Sequence, residues 1–363
     1  MRAALLRDTT GHLAIEDVTI DSPGRDEVLI QTVATGLCHS DFHFIDGSWR
    51  TPFPTLLGHE GAGIVLECGP DVVGFDVGDH VVSCLSVYCG HCERCLTGSL
   101  HLCPNRLRTA NRRRDDRPRI VDTNGDAVTQ FAGLGAFAEQ MLVHQNAMVK
   151  IDPDMPLDRA ALLGCGVLTG VGAVTKSAAV EAGSSVVVIG CGGVGTAALQ
   201  GAHLAGARTI VAVDLASNKL EWAKKFGATH VVNPNDEDPV EAVKDITKGG
   251  ADYTFECIGL KATAEQAFQM LRPGGLATVI GMIPFGVNLE ISGADLFLNA
   301  KRLQGSFMGS NSFKVDLPRL CTLYMNDRLK LDEMMTQTIQ LDDINAGFAA
   351  MKNGDVVRST IAF

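Results

Sequence analysis

The chain of 363 residues is too long for one hydrophobic core, and its length predicts two domains. Its net charge of −11 argues against a nucleic acid or an anionic membrane surface as a partner. The N-terminus lacks a signal-peptide pattern, no run approaches the ~18 apolar residues of a membrane span, and the eleven cysteines form no paired framework, so a cytoplasmic location is expected.

Residues 1–110 alternate short β-branched runs with glycine, proline and aspartate. Examples of these runs are residues 28–33, 63–66 and 80–82. Regular turn signals, such as Gly69-Pro70-Asp71, separate them. The pattern predicts an irregular β-barrel rather than helices.

Four cysteines lie at spacings of three, three and eight: Cys89, Cys92, Cys95 and Cys103. Four thiolates at close spacing can close a tetrahedral Zn²⁺ shell. The alternative is a loop of free or disulfide-paired cysteines, which the expected cytosolic location disfavours. A shell that is closed by four protein ligands has no open position, so this zinc is predicted to be structural.

A second group of metal ligands comes from three separated motifs, Gly-Leu-Cys-His-Ser-Asp at 36–41, Gly-His-Glu at 58–60 and Gly-Cys-Gly at 164–166. Its candidates are Cys38, His59 and Cys165. Three protein ligands and one open position are typical of a catalytic zinc. Each residue taken alone has an ordinary alternative, because a single cysteine is more often a small buried apolar residue.

Residues 106–135 are polar, glycine-rich and without periodicity, which predicts a long surface loop. The loop contains the basic run 112–114 with Asp115, Asp116, Arg117 and Arg119 beside it. We interpret this run as solvated, with an anion site as the alternative. The chain returns to a strand pattern at 142–151, and residues 158–175 read as a helix.

The pattern changes at Ser185. Residues 186–189 form an apolar run, as expected of a strand that is buried on both faces of a parallel sheet. The run leads into G-x-G-x-x-G at 190–195, then into a segment of helical composition and a second apolar strand that ends at Asp214. This βαβ context predicts a dinucleotide site, with the pyrophosphate at a helix N-terminus.

Asp214 lies 19 residues after the last glycine of this motif. A carboxylate there accepts hydrogen bonds from ribose hydroxyls and repels a 2′-phosphate, so NAD is favoured over NADP. The alternative for Asp214 is a turn acid at the end of a strand. Strands and helices keep alternating to about residue 280, two helical stretches follow within 314–352, and a last strand at 356–362 is expected to return to the first domain.

These motifs together resemble the zinc-dependent medium-chain alcohol dehydrogenases along essentially the whole chain. The resemblance implies an α/β protein with two domains. An irregular, GroES-like β-barrel catalytic domain comprises residues 1–166 and 308–363, and a doubly wound, parallel-sheet Rossmann domain comprises residues 167–307. It also implies a cleft between the domains, two zinc ions per chain, NAD as the cofactor, and a homodimer with a tetramer as the alternative.

The resemblance also implies roles for individual residues. Ser40 and His43 resemble the proton relay, and Asp41 and Glu60 resemble carboxylates that orient the ligands of the catalytic zinc. The positions that match cofactor contacts are His39, Thr169, Gly190, Gly192, Gly193, Val194, Gly195, Asp214, Lys219, Ile258 and Arg358. The positions that match substrate contacts are Trp49, Leu85, Met282 and Phe307, and core packing is the alternative for each of them.

The implied activity is hydride transfer between NAD and an apolar primary alcohol or aldehyde, aromatic or medium-chain. One alternative is a dehydrogenase of a thiol adduct of formaldehyde, in which Arg114 or Arg117 would bind the carboxylates of the adduct. That branch shares His39 but commonly lacks a histidine at the position of His43. A second alternative is a non-catalytic zinc or dinucleotide-binding protein. Thiol dependence would reveal the first alternative, and one zinc per chain would favour the second.

Overall fold

The structure is a computed structural model that describes residues 1–112 and 116–363. It divides into two compact units, residues 1–165 with 312–363, and residues 166–311. Gly166 and residues 308–311, which the sequence predicted to belong to the first domain, lie in the second unit. The second unit is continuous in sequence, and the first is formed by both ends of the chain.

The strands of the described residues are β1 Arg2–Leu6, β2 Leu13–Ile20, β3 Glu27–Gly36, β4 Thr55–Leu56, β5 Gly61–Cys68, β6 His80–Ser83, β7 Ile120–Asp122, β8 Thr129–Gln130, β9 Gln140–His144, β10 Met148–Lys150, β11 Ser185–Ile189, β12 Thr209–Val213, β13 His230–Val232, β14 Ala251–Glu256, β15 Leu271–Val279, β16 Arg302–Gly305, β17 Met335–Ile339 and β18 Arg358–Ala362. The α-helices are α1 His39–Ile45, α2 Glu93–Leu96, α3 Arg106–Ala110, α4 Leu157–Leu162, α5 Leu168–Gly172, α6 Gly193–Leu204, α7 Ser217–Lys225, α8 Pro239–Thr247, α9 Lys261–Gln269, α10 Gly293–Leu298, α11 Phe313–Met325 and α12 Ile344–Asn353.

The first unit is built on two β-sheets. One has the strand order β7-β2-β1-β4-β8, and the other has the order β10-β6-β5-β3-β18-β17, with β9 also paired to β3. Most neighbours are antiparallel, including β3 with β5 and β18 with β3. The C-terminal strand β18 thus lies between β3 and β17, as the sequence predicted for a strand that returns to the first domain.

The second unit is a parallel six-stranded sheet with the order β13-β12-β11-β14-β15-β16. Counted from β11, this is the order 3-2-1-4-5-6 of a Rossmann sheet. The central strand β11 is fully buried, as its apolar run predicted. The order reverses between β11 and β14, and the carboxyl ends at such a reversal form the usual cofactor site.

The helical run Leu157–Ser177 is long and apolar enough to cross a membrane by length and composition, and it is the one such run among the described residues. The structure buries 89% of its most apolar window, and a core helix passes the same test. The run contains two π-helical segments, Leu163–Val167 and Ala173–Ser177. Such segments insert an extra residue into a turn and are frequent at functional sites.

The structure corrects two predictions about local structure. The segment 106–135 is not an unstructured loop, because its described part holds α3, β7 and β8. Arg112 is not a solvated residue, since it donates to Asp21 at 2.6 Å and to Glu27 at 2.7 Å. The rest of the basic run and Asp115 lie outside the described residues. The sequence analysis also missed helix α1 and strand β17.

Candidate active site and metal centres

Three side chains from separated segments converge in the first unit. Cys38 precedes α1, His59 precedes β5, and Cys165 lies in the π-helical segment Leu163–Val167. Their ligand atoms and a carboxylate oxygen of Glu60 all lie within 4.8 Å of one another, and all four residues are buried. This is the convergence that the sequence predicted for Cys38, His59 and Cys165.

The backbone around His59 requires glycine at position 58. Gly58 has a φ of +90°, and a Cβ there would lie 2.6 Å from the backbone nitrogen of Phe137. Only glycine combines this conformation with so close an approach. The turn sends the next residue, His59, into the interior, where no part of it is exposed.

The carboxylate of Asp41 lies beside the imidazole of His59. Its Oδ1 accepts a hydrogen bond of 2.9 Å from the backbone N–H of Gly58, and its Oδ2 lies 3.0 Å from Nδ1 of His59. The latter distance suits an ion pair, although the angles fall outside hydrogen-bond geometry. The other ring nitrogen, Nε2, is buried without a hydrogen-bond partner, which a metal ligand explains.

The electrostatics of this group favour a cation. Burial alone would lower the pKa of His59, but the negative charges of Asp41 and Cys38 raise that pKa to about 10. The hydrogen bond from Cys165 lowers the pKa of the Cys38 thiol well below its usual value. An environment that retains a proton on a buried imidazole also stabilises Zn²⁺, which competes for the same nitrogen.

Glu60 and Arg358 form a buried ion pair beside these ligands. Nη2 of Arg358 donates to Oε2 of Glu60, and the side chains are 6% and 0% exposed. Burial lowers the pKa of Arg358. Glu60 was predicted to orient the zinc ligands and Arg358 to contact the cofactor. Their pairing was not predicted, because no local pattern signals a contact between residues 298 positions apart.

Helix α1 carries the residues predicted for the proton relay. Ser40 and His43 are three positions apart, so they share one face of the helix. Asp41 is fully buried, whereas His39 is exposed. The ring of His43 stacks on Trp49 with centroids 6.2 Å apart. Trp49 also packs edge-on against Phe44, so it has the core contacts that the sequence analysis allowed as an alternative.

The four cysteines of the second metal group, Cys89, Cys92, Cys95 and Cys103, have their Sγ atoms within 4.8 Å of one another. Sγ–Sγ distances such as 3.4 Å between Cys92 and Cys95 are too long for a disulfide, and all eleven cysteines are free. The side-chain amide of Asn105 donates to Cys89 at 3.5 Å, which suits a thiolate. The arrangement fits a structural zinc.

The glycine-rich turn in the second unit follows β11 and opens α6. Gly190 has a φ of +91°, and a Cβ on Gly195 would overlap the carbonyl of Gly190, so the turn closes only with glycines. Gly192 is the N-cap of α6 and offers no side-chain cap. The N–H groups of the first turn thus have no capping side chain, which suits a phosphate.

Asp214 follows β12 and ties two loops together. Its Oδ2 accepts a hydrogen bond of 2.8 Å from the backbone N–H of Cys191, and its Oδ1 accepts one of 2.9 Å from that of Ala216. The turn-acid alternative therefore describes part of its role. Each carboxylate oxygen can accept more than one hydrogen bond, so the same group remains able to bind ribose hydroxyls.

The other predicted contacts are distributed over both units. Thr169 is buried, and Ile258, which follows β14, is 46% exposed. Lys219 lies on α7 and Val194 on α6. The predicted substrate residues Trp49 and Leu85 belong to the first unit, whereas Met282 and Phe307 belong to the second. Their common pocket stays a prediction.

Comparisons with known proteins bear on both units. Residues 24–153 match the family model described as the alcohol dehydrogenase GroES-like domain, and residues 193–322 match the model described as zinc-binding dehydrogenase. The alcohol dehydrogenase class-3 of Cereibacter sphaeroides and the S-(hydroxymethyl)glutathione dehydrogenase of Paracoccus denitrificans are each 36% identical to this chain over 374 residues, covering 100% of it and 99% of the relative.

Two solved structures share the fold. An alcohol dehydrogenase zinc-binding domain protein from Burkholderia ambifaria superposes with a TM-score of 0.96 at 34% identity, covering 100% of this chain and 98% of its own. The benzyl alcohol dehydrogenase of Acinetobacter calcoaceticus superposes with a TM-score of 0.93 at 34% identity, covering 100% of this chain and 99% of its own.

Proposed function

The chain belongs to the zinc-dependent medium-chain alcohol dehydrogenases, and on that premise we propose that it transfers a hydride between NAD and a primary alcohol or its aldehyde. The observation that carries the proposal is the buried convergence of Cys38, His59 and Cys165, with Nε2 of His59 lacking a hydrogen-bond partner among the described residues. The expected metal content is two zinc ions per chain, measured by atomic absorption. One zinc per chain would support the non-catalytic alternative.

Several residues of the chain prepare this reaction. When bound, zinc supplies Lewis acidity and NAD accepts the hydride. The thiolates of Cys38 and Cys165 balance the charge of the ion. Asp41 holds the imidazole of His59 in one orientation. The carboxylate of Glu60 is neutralised by Arg358, so the pair limits the negative charge near the ligands.

We propose that Ser40 and His43 move the proton of the substrate hydroxyl. As the Ser40 hydroxyl accepts this proton it releases its own, and His43 would take up the released proton and pass it toward solvent. The one-turn spacing of the two residues on α1 supports this assignment. The proton then leaves the buried centre without requiring a charged group beside the zinc ligands.

The substrate that we propose first is a thiol adduct of formaldehyde, such as S-(hydroxymethyl)glutathione. Support comes from the names of the two curated relatives, which align over nearly their whole length. The carboxylates of such an adduct need a cation. The side chain of Arg117 is 86% exposed and its guanidinium lies 3.9 Å from Asp21, so it is accessible to a carboxylate. Arg114 lies outside the described residues.

An aromatic primary alcohol is the second candidate. One supporting observation is the similarity to a benzyl alcohol dehydrogenase at a TM-score of 0.93. The other is the aromatic surroundings of His59, whose ring meets Phe131 edge-on with centroids 5.4 Å apart. Phe131 in turn packs on Phe44 at 4.8 Å, so this side of the metal group is apolar.

A thiol-dependence assay separates the two substrates. NADH formation is measured with formaldehyde, with and without glutathione, and with benzyl alcohol. Turnover of formaldehyde only in the presence of glutathione supports the adduct, and Arg117→Ala is then expected to raise its KM about tenfold, the loss expected for one exposed charge-assisted hydrogen bond. Arg25→Ala is the matched control, because Arg25 is also exposed and pairs with Asp71. Activity with benzyl alcohol that ignores glutathione favours the second candidate.

We also propose a cytoplasmic homodimer. The location is proposed because both predicted zinc sites need reduced thiolates. The outer edge of β16 ends the parallel sheet in the second unit. The segment 285–298, which precedes β16 in the sequence, has exposed apolar side chains. The exposed fractions are 86% for Phe285, 82% for Phe297 and 74% for Leu298. Light scattering after gel filtration tests this, with Phe297→Asp as the variant and the exposed Val73→Asp as its control.

A further inference from the structure

Residues Met308–Ser310 form one turn of left-handed backbone in the second unit. Their φ angles are +51°, +64° and +50° in chain order. Residues other than glycine adopt this conformation singly and rarely, because the Cβ approaches the following carbonyl oxygen. Two of the three residues here are not glycine. A turn of this kind persists only where the surrounding structure determines it.

The middle residue of the turn packs directly on α5. A Cβ on Gly309 would lie 2.6 Å from the carbonyl oxygen of Leu168, 2.7 Å from that of Thr169 and 2.9 Å from Cα of Gly172. Only glycines on both sides allow the two backbones to approach so closely. This contact positions the turn against α5. The two outer residues of the turn, Met308 and Ser310, are held by side-chain contacts.

Three serine hydroxyls fasten the turn at its other side. Oγ of Ser177, the last residue of the π-helical segment Ala173–Ser177, lies 2.8 Å from Oγ of Ser306 and 2.8 Å from Oγ of Ser310. One hydroxyl can donate to one partner while it accepts from the other. Ser177 thus bridges the residue before Phe307 and the last residue of the left-handed turn.

The fastened turn adjoins two residues of the predicted nicotinamide and substrate site. Phe307 enters the turn directly and is 41% exposed. The buried hydroxyl of Thr169 donates to the sulfur of Met308 at 3.6 Å. Both positions therefore depend on the orientation of Met308–Ser310. A shift of this turn would displace Phe307, which directly precedes it in the chain, and would break the hydrogen bond of Thr169.

We propose that Ser177 is a positioning residue, whose hydroxyl locks the left-handed turn Met308–Ser310 and thereby fixes Phe307 and Thr169 for hydride transfer. The inference rests on the proposed function as a NAD-dependent dehydrogenase. Ser177 itself touches neither reactant in this assignment. Its removal perturbs the nicotinamide end of the cofactor and leaves the adenosine end, which the glycine-rich turn binds, unchanged.

The test compares Ser177→Ala with the wild-type holoenzyme. We expect kcat to fall about tenfold, since small misplacements of reacting groups cost this much or more. The fluorescence of bound NADH is expected to change, whereas the affinity for ADP-ribose, which lacks the nicotinamide, stays at the wild-type value. Ser184→Ala is the matched control, because that hydroxyl donates to a nearby carbonyl of its own exposed turn.

A second pair of variants separates the hydroxyl from the backbone. Ser310→Ala and Ser310→Gly both remove the bond to Ser177, but glycine adopts the left-handed conformation freely. Ser310→Gly is therefore expected to retain more activity than Ser310→Ala. Wild-type kcat and NADH fluorescence in Ser177→Ala would overturn the inference. Equal losses of turnover, melting temperature and ADP-ribose affinity would also overturn it. A wild-type protein that binds neither NADH nor ADP-ribose would contradict the proposed function, and the inference with it.

Discussion

Replacing Glu27 with glutamine tests the buried ion network that holds the segment after the zinc-binding cysteines. Glu27 begins β3 and is 5% exposed. Its carboxylate accepts hydrogen bonds from Arg112 at 2.7 Å, from Arg119 at 2.7 Å and from the backbone N–H of Gly24 at 2.7 Å. Glutamine keeps the size of the side chain but removes the charge that both guanidinium groups face.

The pKa of Glu27 gives the magnitude. Burial alone would raise this pKa, but the hydrogen bond from Arg112 and the charge of Arg119 lower it from 4.5 to about 2. At 1.36 kcal/mol per pKa unit, the ionised form contributes at most about 3 kcal/mol to the free energy of unfolding, and solvent screening of the carboxylate reduces this value. Because burial also lowers the pKa of Arg119, part of this gain is offset within the same network. Because the pKa of Glu27 is lower in the folded protein, its contribution to the free energy of unfolding is fully present above pH 4.5. This contribution is lost as the pH falls toward 2.

Urea unfolding followed by circular dichroism measures the difference. Glu27→Gln is expected to lower the free energy of unfolding by at most about 3 kcal/mol at pH 7, with a difference from wild type that shrinks below pH 4.5. Glu67→Gln, on the neighbouring strand β5 and exposed, is the matched control for metal loss and general acid effects. A difference below about 1 kcal/mol at pH 7, or one that does not shrink on acidification, would refute the reasoning.

Four further changes test the site. Cys38→Ser is expected to reduce turnover at least about a hundredfold while NADH binding persists, and full activity would remove Cys38 from the ligands. Cys103→Ser should lower the metal content by one zinc per chain and reduce the melting temperature, whereas Cys68→Ser, outside both metal groups, should not. Asp214→Ser should shift the ratio of NAD to NADP efficiency toward NADP by about tenfold or more, since a carboxylate repels the 2′-phosphate; an unchanged ratio would contradict this role. His43→Ala should slow alcohol oxidation by about tenfold or more, mainly at lower pH, and equal loss at every pH would exclude it from the relay.

Patterns with a local physical cause could be predicted from the sequence. The apolar runs of β11 and β12 predicted a parallel sheet, because the strands of a parallel sheet are buried on both faces. The spacing of Cys89, Cys92, Cys95 and Cys103 predicted a metal group, because four neighbouring thiolates are costly without an ion. The three ligands of the other group are far apart in sequence. Their motifs made them candidates, but each residue alone kept an ordinary alternative until the family resemblance supported all three.

Features that depend on long-range packing could not be predicted. Helix α1 is only seven residues long and comes directly after strand β3. So short a segment does not differ in composition from its surroundings. The pairing of Arg112 with Glu27 spans 85 positions, and the basic run around it suggested a solvated surface. The left-handed residues Met308 and Ser310 have no propensity for that conformation. In each case a partner from a distant segment decides the local structure.

The position of β18 has a consequence for the biosynthesis of the protein. This strand supplies Arg358 to Glu60 and lies between β3 and β17, yet it follows the whole of the second unit in the chain. The second unit, continuous from 166 to 311, emerges entire before the C-terminal part of the first is available. During translation, Glu60 therefore lacks this ion-pair partner until Arg358 has been synthesised. A stop codon introduced just before Arg358 would leave that carboxylate uncompensated in the interior.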